Sequence, residues 1–310
     1  METAINIVLP VFGLVLCGYL GGRSRFMSEE AVKGLTTFVF YLAIPALLFR
    51  TMAKGGPPTG FDFSIVAAYF TGLAANFALA WLFSRRVFSA NSDEAAIMGM
   101  GAIFSNTVLL GLPLVYGAFG EEGLLALTLI VAFHSPIIMP LVSLIVELGR
   151  GSASSLWLKL KLVFFAIFKN PVIVALLAGE LYGASGLPLP ATVDRFTELL
   201  SGAAAPCALF ALGASLVGYR LGGDLKQCSA LVIFKLVVHP VITALLVLFV
   251  FDLQPVWAAV AIVTAALPVG VNVFIMAEHY DIYKARAASA ILISTGLSVL
   301  SVSVLLAYFA

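Results

Sequence analysis

Two short stretches of this sequence set an amide beside a proline and a glycine in otherwise apolar surroundings. The first, SNTVLLGLPLV, carries Asn106, Thr107, Gly111 and Pro113; the second, ALPVGVNVF, carries Pro268, Gly270, Val271 and Asn272. A proline inside a helix removes one backbone hydrogen bond and clashes with an earlier carbonyl, and a nearby glycine tolerates the unusual dihedral angles that follow. The chemistry on offer is recognition rather than bond making: carboxamides, a hydroxyl, freed backbone groups and the positive ends of half-helices, which attract anions. Three ionisable side chains lie in equally apolar stretches. Lys235 and His239 in FKLVVHP are four residues apart, hence on one helical face, and His134 sits in AFHSPIIMP. The lysine either snorkels to the headgroup level or supplies a fixed cation that attracts a carboxylate or replaces a coupling ion, with His239 titrating near neutral pH beside it. His134 either hydrogen-bonds within a helix bundle or belongs to a proton route.

The solvent around these residues follows from composition. The chain has 310 residues, 62% of them hydrophobic and 11% charged, against roughly 25% charged in a soluble domain. Its mean hydropathy is +1.09. An all-α integral membrane protein is expected, with apolar runs of about 20 residues, each long enough to cross a hydrocarbon core. Ten spans are predicted, at 4–22, 31–51, 63–84, 95–118, 123–148, 162–183, 192–218, 228–250, 255–278 and 285–309. The first 22 residues start with an acidic rather than a basic flank and read as a span, not a signal peptide. Cys17, Cys207 and Cys228 show no redox or metal spacing and read as packing residues.

An even number of spans puts both termini on one side, and the basic residues choose the side. The loops after odd-numbered spans hold Arg23, Arg25, Lys33, Arg85, Arg86, Arg150, Lys159, Lys161, Lys169, Arg220, Lys226, Lys284 and Arg286, which is 13 of the 17 Lys and Arg residues. The positive-inside rule makes that side cytoplasmic and both termini extracytoplasmic.

The sequence also repeats itself. PVFGLVLCGYLGG from Pro10 aligns without gaps on PVIVALLAGELYG from Pro171, an offset of 161 residues, and at the same offset Pro45 and Phe49 meet Pro206 and Phe210. Two matches at one offset indicate a duplication of five spans, with residues 1–148 and 162–310 as halves and 149–161 as a short cytoplasmic linker. Five is odd, so the halves insert in opposite orientations, and the interrupted spans 4 and 9 fall at equivalent positions. Broken helices in matching places of two inverted halves point to a transport site near the midplane.

NTVLLGLP, the KNP at Lys169–Pro171, PCALFALGASL and LPVGVNVFIMA, in this order and spacing, resemble the auxin efflux carrier family, including bacterial members named as malonate transporters. That resemblance implies a ten-helix fold similar to sodium/proton antiporters and bile-acid transporters. It implies a scaffold of spans 1, 2, 6 and 7 that forms a homodimer, and a transport domain of spans 3–5 and 8–10 in which spans 4 and 9 cross at Pro113 and Pro268. Asn106 and Asn272 then stand nearest the substrate.

The expected function is secondary transport of a small organic anion across the cytoplasmic membrane of a bacterium, by an elevator-like motion. The anion is a malonate-like dicarboxylate or an auxin-like aromatic carboxylate. A cation/proton antiporter of the same fold is the alternative, disfavoured because no clustered aspartates lie in the spans. A membrane-embedded enzyme is a second alternative, against which no His-x-x-x-His, Gly-x-Ser-x-Gly or paired-Asp motif is found on a span. No cofactor, metal or nucleic acid is expected, and H+ and Na+ both remain open as coupling ions.

Overall fold

A computed structural model of the chain describes residues 2–24, 26–54, 63–151, 165 and 169–309. The predicted linker at 149–161 and the start of the predicted sixth span lie largely outside these residues. Every regular element described is helical, apart from one isolated β-bridge. In chain order the helices are α1 (Glu2–Arg23), α2 (Glu29–Ala53), α3 (Ser64–Val87), α4 (Ser92–Ile103), α5 (Leu112–Gly149), α6 (Pro171–Ala184), α7 (Ala191–Ser215), α8 (Leu225–Phe249), α9 (Pro255–Ala266), α10 (Asn272–Tyr280) and α11 (Lys284–Phe309). Seven helical stretches among the described residues are long and apolar enough to cross a bilayer, and α6 and α9 are shorter apolar helices. Large apolar side chains such as Leu9, Leu181, Phe249 and Leu300 point outward and more than half exposed from α1, α6, α8 and α11. Such a surface suits lipid, and the protein is a multi-pass membrane protein.

Helix starts follow from local sequence. Ser28, Asn91, Asn170 and Asp224 precede α2, α4, α6 and α8, and the side chain of each accepts a hydrogen bond from an otherwise orphan amide of the first turn. Gly120, at φ 60° and ψ −147°, bends α5 into two parts. The bend falls where the predicted spans 4 and 5 meet.

Proline shapes three helices in one way. The amides of Ile44, Leu112 and His239 each donate to a carbonyl five residues back, on Val39, Thr107 and Phe234, and the next residue in each case is Pro45, Pro113 or Pro240. The proline ring crowds the carbonyl four residues behind it, and the helix widens by one residue to clear it. Lys235 rides on the widened turn of α8, and Thr107 and Gly111 lie on the one that leads into α5.

Two close helix pairs depend on glycine. A Cβ on Gly18 of α1 would stand 2.0 Å from the Phe210 carbonyl oxygen of α7, and one on Gly179 of α6 would stand 2.6 Å from the Phe49 carbonyl oxygen of α2. One turn on, Gly22 and Gly183 meet the backbone of Ala214 and Met52 in the same way. These Gly-x-x-x-Gly faces bring backbones together as membrane helix pairs require, where lipid gives no hydrophobic drive for association.

Ion pairs tie helix ends within two groups. Asp194 at the start of α7 takes Arg50 at 2.7 Å and Lys54 at 2.8 Å from the end of α2. Elsewhere, Arg150 after α5 holds Asp93 of α4 at 2.7 Å, and Arg286 of α11 holds Glu94 of α4 and Gln227 of α8. Among the described residues no ion pair joins the group α1, α2, α6 and α7 to the group α3–α5 and α8–α11.

Candidate functional site

Helix α4 stops at Ile103 because Phe104 turns extended, and α9 stops at Ala266 because Leu267 does the same ahead of Pro268. The two extended segments meet. Ser105 and Val269 form an antiparallel bridge, the Asn106 amide donates to the Pro268 carbonyl at 2.9 Å, and the Gly270 amide donates to the Phe104 carbonyl at 2.8 Å. Each break thus supplies the backbone partners that the other cannot find in lipid. Pro268 has no amide to lose, and its carbonyl serves as acceptor. Glycine is needed where the segments touch: a Cβ on Gly270 would lie 2.8 Å from the Phe104 ring, and one on Gly111 would lie 2.8 Å from Leu267.

Side chains from neighbouring helices close the remaining polar groups. The last carbonyls of any helix lack internal donors. Here Asn76 of α3 donates to the Ala102 carbonyl at 2.8 Å, Ser105 Oγ donates to the Thr264 carbonyl at 2.7 Å, and Lys235 Nζ donates to the Ala265 carbonyl. Ser294 of α11 accepts from the Val269 amide at 3.0 Å. Lys235 Nζ sits at the carbonyl end of α9, where a helix dipole favours a positive charge.

The predicted residues fall as follows. Asn106, Thr107, Gly111, Pro268 and Gly270 are buried in or beside the crossing, and Val271, Asn272 and Pro113 are partly exposed at its edges. Of the two readings left open for Lys235, snorkelling fails: the side chain is 0% exposed and is held by α9. His239 is equally buried and packs on Tyr69 of α3, ring centroids 5.6 Å apart. His134 of α5 lies 6.2 Å from the same ring and 4.6 Å from that of Phe104. Tyr69 and Ser105 join the cluster through their hydroxyls, 3.4 Å apart. Sequence reasoning missed Tyr69, Asn76, Ser105, Thr264 and Ser294. A polar residue in an apolar run was the available signal, but it marks many serines and threonines that only bond their own helix, as Thr128 does.

Two cavities open elsewhere among the helices. One of 820 Å³ is lined by Ser28, Lys33 and Thr37, by Ser215 and Tyr219 at the end of α7, and by Phe274 of α10, two residues beyond Asn272. The other, of 150 Å³, is lined by Leu47 of α2, Pro113 and Tyr116 of α5, and Ser201 and Ala204 of α7. Asn106 and Asn272 line neither. Among the described residues no group of His, Cys, Asp and Glu could hold a metal ion, and no Asp or Glu is buried.

A family described as membrane transport protein matches residues 3–306 of the chain. The chain belongs to this family, that of the auxin efflux carriers. A Rhizobium meliloti protein named "Putative malonate transporter" is 32% identical over 310 residues, which covers 99% of this chain and 96% of that one. The uncharacterized transporter YfdV of Escherichia coli K12 is 24% identical over 295 residues, 94% of this chain and 92% of its own. Auxin efflux carrier component 8 of Arabidopsis thaliana is 22% identical over 335 residues, 90% of each chain. The family resemblance drawn from the motifs is borne out, and membership makes the chain a transporter rather than an enzyme.

Proposed function

We propose that the chain is a secondary transporter of a small organic anion and that the anion binds at the crossing, between Asn106, Thr107, Gly111 and Pro113 on one side and Pro268, Gly270, Val271 and Asn272 on the other. The observation that carries this reading is the paired break itself. A helical segment resumes just after each break, at Thr107 and at Asn272, and no buried acid stands among the described residues. Helix N-termini and carboxamide N–H groups are donors for a carboxylate. A desolvated cation needs oxygen ligands and countercharge, which weighs against a cation/proton antiporter. The name of the Rhizobium relative favours a malonate-like dicarboxylate, and that of the Arabidopsis relative an auxin-like carboxylate.

On this reading the chain crosses the cytoplasmic membrane ten times in two inverted halves. The offset of 161 residues relates Gly18 and Phe210 to Gly179 and Phe49, and the same glycine-to-carbonyl contact occurs in both places, which supports the duplication. Helices α1, α2, α6 and α7 form the scaffold, the surface for a homodimer, and α3–α5 with α8–α11 form a mobile half. Ion pairs confined within each group support motion as two rigid bodies. The large cavity is lined by the scaffold helices beside Lys33 and by Phe274 of the mobile half, which supports reading this as an inward-open state, since the basic residues make that side cytoplasmic. An elevator-like slide would close it and enlarge the small cavity at Pro113.

Replacement of Asn106 or Asn272 by alanine tests the site. Expected is a drop of at least tenfold in carboxylate uptake by reconstituted vesicles, at nearly unchanged melting temperature. Parental rate and apparent affinity in both variants would overturn the assignment.

A further inference from the structure

Behind the crossing lies a buried cluster that the anion site itself does not use. Its titratable members are Lys235 and His239 of α8, His134 of α5 and Tyr69 of α3, each 0 or 1% exposed. The charged groups in electrostatic reach of His239 are Lys235 and His134. The polar groups beside the cluster are the Asn76 amide of α3, the Ser105 hydroxyl of the break and the Thr264 carbonyl of α9, with Thr243 one turn beyond His239 on α8. None is a carboxylate. Both ring nitrogens of His239, the Thr243 hydroxyl and the Asn76 side-chain oxygen have no protein partner, and His134 has only the backbone of Ile103 within hydrogen-bonding reach. Buried polar atoms are almost always paired, so an imidazole with both nitrogens unpaired, packed with a second imidazole around the Tyr69 ring, marks a site meant for something else.

We propose that Lys235, His239 and His134 form one proton-binding site, and that a proton enters it together with the carboxylate at the crossing, so that the transported species is the anion plus one H+. The inference rests on the crossing as the anion site. The geometry joins the two. Lys235 is bound to the Ala265 carbonyl, the next carbonyl, of Thr264, takes the Ser105 hydroxyl, and Ser105 is the chain neighbour of Asn106. With no acid beside it, the cluster has only positive charge to gain. A carboxylate arriving at Asn106 provides the missing countercharge, and the bound proton in turn favours the carboxylate. Linkage of this kind is reciprocal. The imidazoles, with ring centroids 6.2 and 5.6 Å from that of Tyr69, give the proton alternative seats, and the Tyr69–Ser105 hydroxyl contact connects those seats to the crossing. Sodium would not serve, because a site of amines and imidazoles offers it no negative ligand. The net movement is one carboxylate and one proton in the same direction, which cancels the charge of a monoanion and lessens that of a dianion.

Proton uptake on binding tests the proposal. Purified protein in weak buffer with a pH indicator is mixed with malonate or indole-3-acetate at pH 6 and pH 7.5, with sodium or potassium as counter-ion, and binding is followed by thermal shift in parallel. Expected is uptake approaching one proton per anion bound at pH 7.5, an affinity several-fold higher at pH 6, and no difference between sodium and potassium. Lys235→Met, His239→Gln and His134→Gln should each flatten the pH dependence of affinity and lower the proton count; the two histidine variants keep the test open if the lysine variant does not fold. Binding of either anion without proton uptake, or only with sodium, would overturn the proposal and leave the anion site standing. No binding of either anion under any condition would overturn the anion site and this inference with it.

Discussion

At the scale of the residue, the central fact is that a lysine in an apolar span is fully buried and bonded to the end of a broken helix. Removing one partner of a buried charge is costly, of the order of 3–5 kcal/mol where a partner charge is left behind, but here no partner charge exists and the lysine can be replaced without orphaning an acid. Lys235→Gln should therefore insert and fold yet transport carboxylate at under a tenth of the parental rate, and Lys235→Arg, which keeps the charge, should retain more; a Gln variant as active as the parent in the same flux assay would show the charge to be dispensable. Much at this scale was legible in the sequence. Asn106 and Asn272 stood out as amides near a proline and a glycine in apolar runs, and the structure buries the first at the break and leaves the second partly exposed at its edge. What was not legible was company: Tyr69, Ser105 and His134 are 29 to 65 residues apart along the chain and meet only because α3, α5 and the break converge.

At the scale of the element, glycine and proline decide the shapes. Gly18→Leu and Gly179→Leu force side chains into backbone carbonyls at 2.0 and 2.6 Å, and each should destabilise the protein by about 3 kcal/mol or more, seen as a lower melting temperature and poor recovery from the membrane. Gly296→Ala, where nothing stands within 4 Å, is the control and should be silent. The predicted spans match the helices closely where apolar runs are bounded by caps, as at Ser28 and Asp224. The matched glycines also appeared in the sequence repeat, but as identities; that they let α1 touch α7 and α6 touch α2 required the fold. The widened turns before Pro45, Pro113 and Pro240 went unread, although the residue that causes each one is printed in the sequence. Prolines 136, 140 and 206 sit inside helices without such a turn, so proline alone does not announce it.

At the scale of the whole molecule, the proposal is two bodies joined by few polar ties and parted by a large cavity on one side and a small one on the other. Orientation can be checked apart from function. With 13 of 17 basic residues on one side, a reporter fused after Ala310 should be extracytoplasmic, and a cytoplasmic signal would break the agreement between span number and charge. A tie between the bodies is the edge-to-face contact of Tyr219 on the scaffold with Phe274 on the mobile half, centroids 5.0 Å apart; a disulfide placed there by Tyr219→Cys with Phe274→Cys should arrest transport, and reduction should restore it. The claim that the chain carries a small carboxylate by alternating access is tested most directly by counterflow in vesicles reconstituted with the purified protein. Labelled malonate or indole-3-acetate outside should enter with saturation, faster when the same unlabelled anion is inside, and the Asn106→Ala variant should lose the effect. Flux that rises linearly with concentration and ignores the anion on the far side, or no flux of either anion, would contradict the account.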